Sequence, residues 1–544
     1  MSIFELIRAS GLGRLGKLIT SNGTVYTPEL MPVFNPNKPL ISTKELIKEF
    51  KIKILITNAY IIYRTPHLKS EAEKGIHNLI EFPGVIMLDS GAYQAWMYKK
   101  DLSVSNKEII EFQDLLRPNI ATILDIFTDT DDYETAKKGV IETINRAKEC
   151  IKVRDQDNQD ILWAAPIQGG KFLDLIEYSA KKLSKLDFKY HPLGTLAPSL
   201  MNYEYRGVLD AIATAKLNMN SSRPLHAFSI GHPMFFSLSV LFGSDLFDSS
   251  SYALYAQNNR YITTFRTFNL NDLVEFPCTC PICSKYTPEE LKRMDKENRI
   301  KNLAKHNLYV CLGEMKIIRE AIRRDKLWEL VQSRVRVHPN LIDAYFYNLM
   351  KYHKKIEIYD TLTKRTAFFY SGLDSLLRPE VLRHKKWLID RYNPPSASIL
   401  IILIDIIFRT LESKYFKVWT EKIKGFIYNI NNLSEKDIHF CILSPIFGII
   451  PIEIAESYPF SQYLYPNIFF ESLSDHVSSI FKDYIKAFHT NYKKIIIFYP
   501  ELTLKKKEIY KYPEIKLDTL PDDILKENKV YIVKNIEDIE KLLT

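Results

Sequence analysis

Through its first two-thirds the chain alternates short, continuous apolar runs with longer stretches in which apolar residues recur every three or four positions. A short apolar run bounded by turn residues reads as a buried strand, and the three-to-four spacing reads as one buried face of a helix. This pattern predicts strands at 53–57, 84–88, 120–124, 161–166, 193–196, 225–230 and 245–247. Helices are predicted between them at 105–115, 133–153, 171–186 and 205–217. Strands that alternate with helices pair in parallel, and seven or eight such units suit a (β/α)8 TIM-like barrel better than an open sheet. A further helical pattern covers 315–334. Beyond a Pro-Pro segment at 391–398, which reads as a linker, strand-like runs at 439–443, 493–499 and 530–533 predict a smaller C-terminal α/β domain. The longest apolar run, 397–408, contains Asp405 and is too short to span a bilayer, so it reads as a buried helix. The expected division is a barrel over 1–345 with a metal-binding insertion near 270–312, a basic extension and linker over 346–395, and the C-terminal domain over 396–544.

Composition narrows the class. A chain of 544 residues exceeds one ordinary domain. The net charge of +9, from 74 basic and 65 acidic residues, permits nucleic-acid binding without demanding it. Six cysteines, three of them crowded together, do not make a disulfide framework; a reducing interior, hence the cytoplasm, fits best. The N-terminal stretch carries an early acid and no long apolar segment, so neither a signal peptide nor membrane association is expected.

The candidate chemistry lies in two places. Cys278, Cys280 and Cys283 fall within six residues, and His306 follows on the next helical segment. Three thiols and an imidazole form a closed tetrahedral donor set, the type that holds structural zinc. The second place is the row of polar residues that end the predicted strands: Asn58, Asp89, Asp125, Gln168, His232 and Asp248. In a barrel these positions converge on one face, where barrel enzymes keep their chemistry. Loop capping explains any one of them, but not the whole row. Small residues after Asp89, namely Ser90 and Gly91, let backbone approach a flat ligand. Two carboxylates on such a face can serve as nucleophile and proton manager at an anomeric carbon. Taken alone, the pair fits a glycosidase or a metal-binding barrel equally well. Tyr93 and Phe127 read either as core aromatics or as a stacking pair, and His226 and His232 as packing or phosphate contacts.

Six motifs occur in order: Leu88-Asp89-Ser90-Gly91-Ala92-Tyr93-Gln94, Ile167-Gln168-Gly169-Gly170, His226 to Pro233, Asp245 to Tyr255, Arg260 to Thr263, and the Cys278/Cys280/Cys283/His306 set. Together they closely resemble the tRNA-guanine transglycosylases, in particular the archaeal, archaeosine-forming branch, over about residues 1–390. The resemblance implies a pentosyltransferase that exchanges guanine at position 15 of the tRNA D-loop for 7-cyano-7-deazaguanine. It implies that Asp248 attacks ribose C1′ to form a covalent ester, and that Asp89 is the general acid/base. It further implies that Asp125 and Gln168 bind the base edge, with Ser90, Gly91, Gly194 and Thr195 lining the pocket, and that zinc sits on the three cysteines and His306. A base inside folded RNA must be extruded to reach such a pocket.

Two departures stand out. Thr195, in Leu193-Gly194-Thr195-Leu196, occupies a place where the family commonly has a second glycine, which bears on base selectivity. The last eighty residues show no pattern of the RNA-gripping PUA domain found in many archaeal members. The segment from Ile442 to Pro459 is instead loosely similar to the central domain of archaeosine synthase, without that enzyme's Cys-Lys motif. The basic runs 319–326, 334–336, 383–386 and 505–507 are either phosphate contacts or solvated faces. The expected partners are tRNA, guanine and 7-cyano-7-deazaguanine, a second copy in a homodimer, and a separate PUA-type or synthase chain. The competing readings are a non-catalytic tRNA-binding protein, a synthase-like amidating paralogue and a relative that places deazaguanines in DNA.

Overall fold

The computed structural model describes residues 3–93, 104–155, 160–404, 421–423, 425, 434–466, 470–498 and 529–543. The chain forms two compact units, Met1–Tyr352 and His353–Thr544.

The first unit is built on eight short parallel strands. One four-stranded sheet runs Ile54–Asn58, Val85–Asp89, Ile120–Thr122 and Leu162–Ala164. The other runs Glu29–Pro32, Leu246–Ser249, Leu225–Ala227 and His191–Leu193. Parallel bridges Val33↔Ile56, Ala164↔Tyr190 and Ile167↔Leu193 join the two sheets at both edges. Pairing therefore runs round a cycle of eight, in the chain order that a (β/α)8 arrangement requires. Seven of these strands lie at or next to predicted positions. The strand at Glu29–Pro32 is not among the predicted ones, because its four residues are hemmed by Pro28 and Pro32 and show no alternation.

Three antiparallel strands, Phe4–Ser10, Gly13–Thr20 and Gly23–Thr27, also lie outside the predicted set. Leu18 and Val25 from this sheet share one buried cluster with Met31, Ile54, Ile56, Val85 and Ile120. Asn119, just ahead of its strand, donates to Asn22 Oδ1 (2.7 Å) and to Ser21 Oγ (3.1 Å). The small sheet thus covers the N-terminal ends of the parallel strands and leaves the opposite ends for chemistry. Buried Asp245 pins the same end. It accepts from Arg14 Nη2 (2.5 Å), Lys216 Nζ (2.9 Å) and the Leu225 amide (2.8 Å). Burial raises its pKa, but the charges of Arg14 and Lys216 outweigh that and hold it below the usual value.

The helical pattern predicted over 315–334 is two helices, Lys296–Arg323 and Leu327–Val335. They part at Asp325, whose backbone is left-handed (φ 60°) and whose buried carboxylate accepts from Arg8 Nη2 (2.6 Å). A tertiary ion pair therefore ends a helix that local spacing would continue.

In the second unit a five-stranded sheet runs Gly448–Pro451, Ile438–Ser444, Ile399–Ile404, Lys494–Phe498 and Val530–Val533. Residues 399–404 correct the reading of 397–408 as a buried helix. They form the central strand, buried at every position, because a β-branched run covered on both faces suits a parallel strand. Residues 405–420 lie outside the described residues, as do 505–507. The helix Pro379–Asp390 places Val381 and Leu388 in the two clusters that cover this sheet. No helix among the described residues is long and apolar enough to cross a membrane.

Candidate active site and metal centre

Parallel pairing puts all C-terminal strand ends on one side, and the predicted polar residues gather there. Asp89 closes its strand, and Asn58 is its partner on the neighbouring strand. Asp248 is the third residue of Leu246–Ser249. Asp125 and Gln168 follow Ile120–Thr122 and Leu162–Ala164 by three and four residues.

Asn58 has two tasks. Its Oδ1 caps the helix Ala59–Arg64 by accepting from Ile61 N, and its Nδ2 donates to Asp89 Oδ2 at 2.9 Å. The Gly91 amide also donates to Asp89. Gly91 must be glycine: its φ is 102°, and a Cβ there would lie 2.5 Å from Tyr60 Cβ. Burial, reinforced by the charges of Asp125 and Asp248, lifts the Asp89 pKa to about 7. Asp89 therefore lies within electrostatic reach of both other acids. Tyr93 faces the same space, since burial and the Asp248 charge both raise its pKa. Its ring meets Phe127 at 5.5 Å and 66°, an edge contact rather than a parallel slot.

Asp248 Oδ1 accepts from the Ser229 amide (3.0 Å) and lies 3.0 Å from His226 Nε2. His226 is fully buried, which rules out phosphate contact and makes it a support for Asp248. Nothing in the sequence distinguishes it, since the contact exists only across two paired strands. Ser229 has a left-handed backbone (φ 65°), a strained conformation for a residue with a side chain, and this turns its amide towards Asp248. His232 is held in the structure: it caps the helix Pro233–Leu241 and reaches Thr267 Oγ1 at 3.1 Å, and burial lowers its pKa to about 4.

Asp125 is buried beside Ser90, and burial raises its pKa. Gln168 Nε2 donates to Asp125 Oδ2 at 2.5 Å. Gly194 lies against the same amide, where a Cβ would fall 2.2 Å from Gln168 Nε2. Thr195 turns back onto Gln168 Oε1.

The four metal-ligand candidates come together with all donor atoms within 4.8 Å of one another. Cys280 and Cys283 sulfurs lie 3.6 Å apart, and His306 Nδ1 is 3.4 and 3.3 Å from them. Tetrahedral zinc with bonds of about 2.0–2.3 Å needs donor separations of about 3.3–3.8 Å, so the set fits such an ion. His306 Nε2 sits 2.9 Å from the Ile262 carbonyl, which fixes the proton there and leaves Nδ1 as the lone-pair donor. Tyr261 stacks on the imidazole at 3.7 Å and holds its plane. The cluster is a possible metal site with four protein donors. Replacing Cys283 with Ser should lower the melting temperature by about 10 °C or more and abolish metal retention through gel filtration. A variant that keeps one equivalent of metal by elemental analysis would count against this ligand set.

The basic runs are largely occupied. Arg319 pairs with Glu29, Arg323 and Arg324 with Glu320, Arg334 with Glu314 and Arg383 with Glu357. A cavity of about 370 Å³ lined by Lys51, Lys53, Lys316 and Arg319 lies at the N-terminal ends of the strands and contains none of the clustered acids.

The architecture and the clustered side chains are those of an α/β enzyme that gathers carboxylates at the C-terminal ends of parallel strands. A family profile described as TGT, queuine tRNA-ribosyltransferase, matches residues 9–340. The chain is 42% identical over 500 residues to the tRNA-guanine(15) transglycosylase of Methanocaldococcus jannaschii, covering 91% of this chain and 72% of that protein. It is 41% identical to the protein of the same name from Methanococcus aeolicus (86% and 69% covered) and 38% identical to that of Methanobrevibacter smithii (91% and 73% covered). The chain belongs to the queuine tRNA-ribosyltransferase family.

Proposed function

We propose that the protein is a tRNA-guanine(15) transglycosylase that exchanges guanine in the D-loop for 7-cyano-7-deazaguanine. The observation that carries this reading is the convergence of Asp125 and Asp248 on Asp89 at one set of strand ends, in a chain of this family. Asp248 is the nucleophile. Its carboxylate attacks ribose C1′, the bond from C1′ to guanine breaks, and an aspartyl–ribosyl ester holds the RNA. The Ser229 amide and His226 keep one oxygen of Asp248 engaged, so the other is aimed at the sugar. Asp89, with a pKa near 7, gives a proton to departing guanine and takes one from the incoming base. The new base then attacks C1′, the ester breaks, and Asp248 is regenerated. Asp125 accepts from the N–H groups of the base and Gln168 donates to its carbonyl, with Ser90, Gly91 and Gly194 leaving room for the ring.

Zinc at Cys278, Cys280, Cys283 and His306 would be structural, since four protein donors leave no open position. We place the enzyme in the cytoplasm, acting as a homodimer through the zinc-bearing region, with 1–345 as its catalytic domain. A PUA-type or synthase chain is a candidate partner for gripping tRNA.

The test is exchange itself. Purified protein mixed with tRNA and radiolabelled guanine should transfer label into position 15. On denaturation during turnover, RNA should remain attached to protein. Label entering DNA instead, or no label entering any nucleic acid, would overturn the proposal.

A further inference from the structure

We infer that Thr195 and Thr128 are positioning residues that hold the Gln168 amide against rotation, so that the base pocket presents a donor there and selects 6-oxo over 6-amino deazapurines. The inference rests on the base-exchange reading only for the identity of the ligand.

The hydrogen-bond partners set which way the amide faces. Thr195 Oγ1 accepts from the Thr128 amide at 3.3 Å, and Thr128 Oγ1 accepts from the Gly169 amide at 3.3 Å. With a lone pair of each hydroxyl engaged in this way, both are free to turn their protons to Gln168 Oε1, at 2.5 and 3.2 Å. Thr195, the nearer of the two, supplies a proton to that oxygen, and Thr128 can give its proton either to the same oxygen or to Thr195 Oγ1 at 3.3 Å. The far atom of the amide must then be the nitrogen, which donates to Asp125 Oδ2 at 2.5 Å. A flipped amide would set its carbonyl against the Asp125 carboxylate, two acceptors facing each other, and would lose the hydroxyl-to-carbonyl hydrogen bond from Thr195. Gln168 can therefore offer a ligand only its second N–H, beside Asp125, which offers only acceptors when ionised.

The backbone of Thr195 points the same way. Its φ is 59°, a conformation costly for a β-branched residue, and it persists where surrounding contacts over-determine it. The hydroxyl contacts to Gln168 and Thr128 are those contacts. Gly194 completes the arrangement, because any side chain there would collide with the amide. Thr195 thus acts on the base through Gln168 rather than by touching it.

The experiment compares wild type with Thr195→Val, Thr195→Ser and Thr128→Val. Two bases are used, 7-cyano-7-deazaguanine and its 6-amino counterpart. Equilibrium binding is measured by calorimetry, and KM and kcat are measured in tRNA exchange. Valine keeps the shape and removes the hydroxyl. The ratio of affinities, 6-oxo over 6-amino, should fall about tenfold in Thr195→Val. The loss should fall on KM for the 6-oxo base more than on kcat, and Thr195→Ser should restore the ratio. Thr128→Val should show the same fall and serves if Thr195→Val does not fold. An unchanged ratio in a folded valine variant overturns the inference, as does a serine variant that behaves like valine. Selective binding by a wild type that does not exchange would sink the transglycosylase reading and leave the lock standing. Exchange by wild type with an unmoved ratio in the valine variants would do the reverse.

Discussion

Asp248→Asn should abolish guanine exchange, by about four orders of magnitude or more, while tRNA binding stays within about threefold of wild type. The amide oxygen can still accept from the Ser229 amide and His226, so the local geometry survives and only nucleophilicity is lost. No RNA should remain attached to the variant after denaturation. Filter binding and a radiolabel exchange assay read the two quantities separately. Residual exchange above about one per cent of wild type would show that Asp248 is not the attacking group. Lost tRNA binding would place its role in recognition instead. Removal of a nucleophile costs the whole covalent route, which is why this change should exceed every other single substitution in effect on rate.

A second substitution couples activity to stability. Asp89→Asn should reduce exchange by about two to four orders of magnitude, because no group at that place could then carry the proton. The same change should make the protein relatively more stable at high pH. Asp89 has its pKa raised from 3.8 to about 7, chiefly by burial and then by the charges of Asp125 and Asp248. The folded state therefore binds this proton more tightly than the unfolded chain does. Stability from the protonated carboxyl is fully present below about pH 4 and is lost as pH rises through about 7. The amide that replaces the carboxyl has no proton to lose over this range. The difference in melting temperature, variant minus wild type, should increase from about pH 5 to about pH 8. An equal difference at both values would mean that Asp89 does not titrate between them. In wild type, exchange under limiting base should change through about pH 7 with the same group.

The proposed base selectivity rests on the same arrangement of charge and dipole. Asp125 is buried and acceptor-only when ionised, and Gln168 is held as a donor. In the proposed function these two side chains offer one acceptor and one donor side by side, the complement of the edge shared by guanine and 7-cyano-7-deazaguanine. A family glycine at 195 would leave Gln168 with one hydroxyl fewer to orient it. The threonine therefore fixes by side chain what backbone donors would otherwise arrange.

Much of this molecule is legible in its amino-acid order alone. The alternation of buried runs and amphipathic stretches locates seven of the eight parallel strands, because a strand buried on both faces must be apolar throughout and its helix must be apolar on one side. The Cys278/Cys280/Cys283/His306 set is legible because metal ligands need fixed types at short spacing. Asp89, Asp125, Gln168 and Asp248 are legible as polar residues ending apolar runs. The features that escape such a reading depend on contacts between distant segments. The strand Ile399–Ile404 reads as a helix because a run of apolar residues carries no period; only flanking strands on both sides decide it. The helix break at Asp325 needs Arg8, over three hundred residues away. His226 becomes a support for Asp248, and Thr128 and Thr195 become a clamp on Gln168, only once parallel strands set their ends side by side. Local patterning can specify which residues are buried and which end a strand. Which of them share a proton or fix an amide is decided by tertiary geometry, because hydrogen bonds act over about 3 Å and sequence distance says nothing at that range.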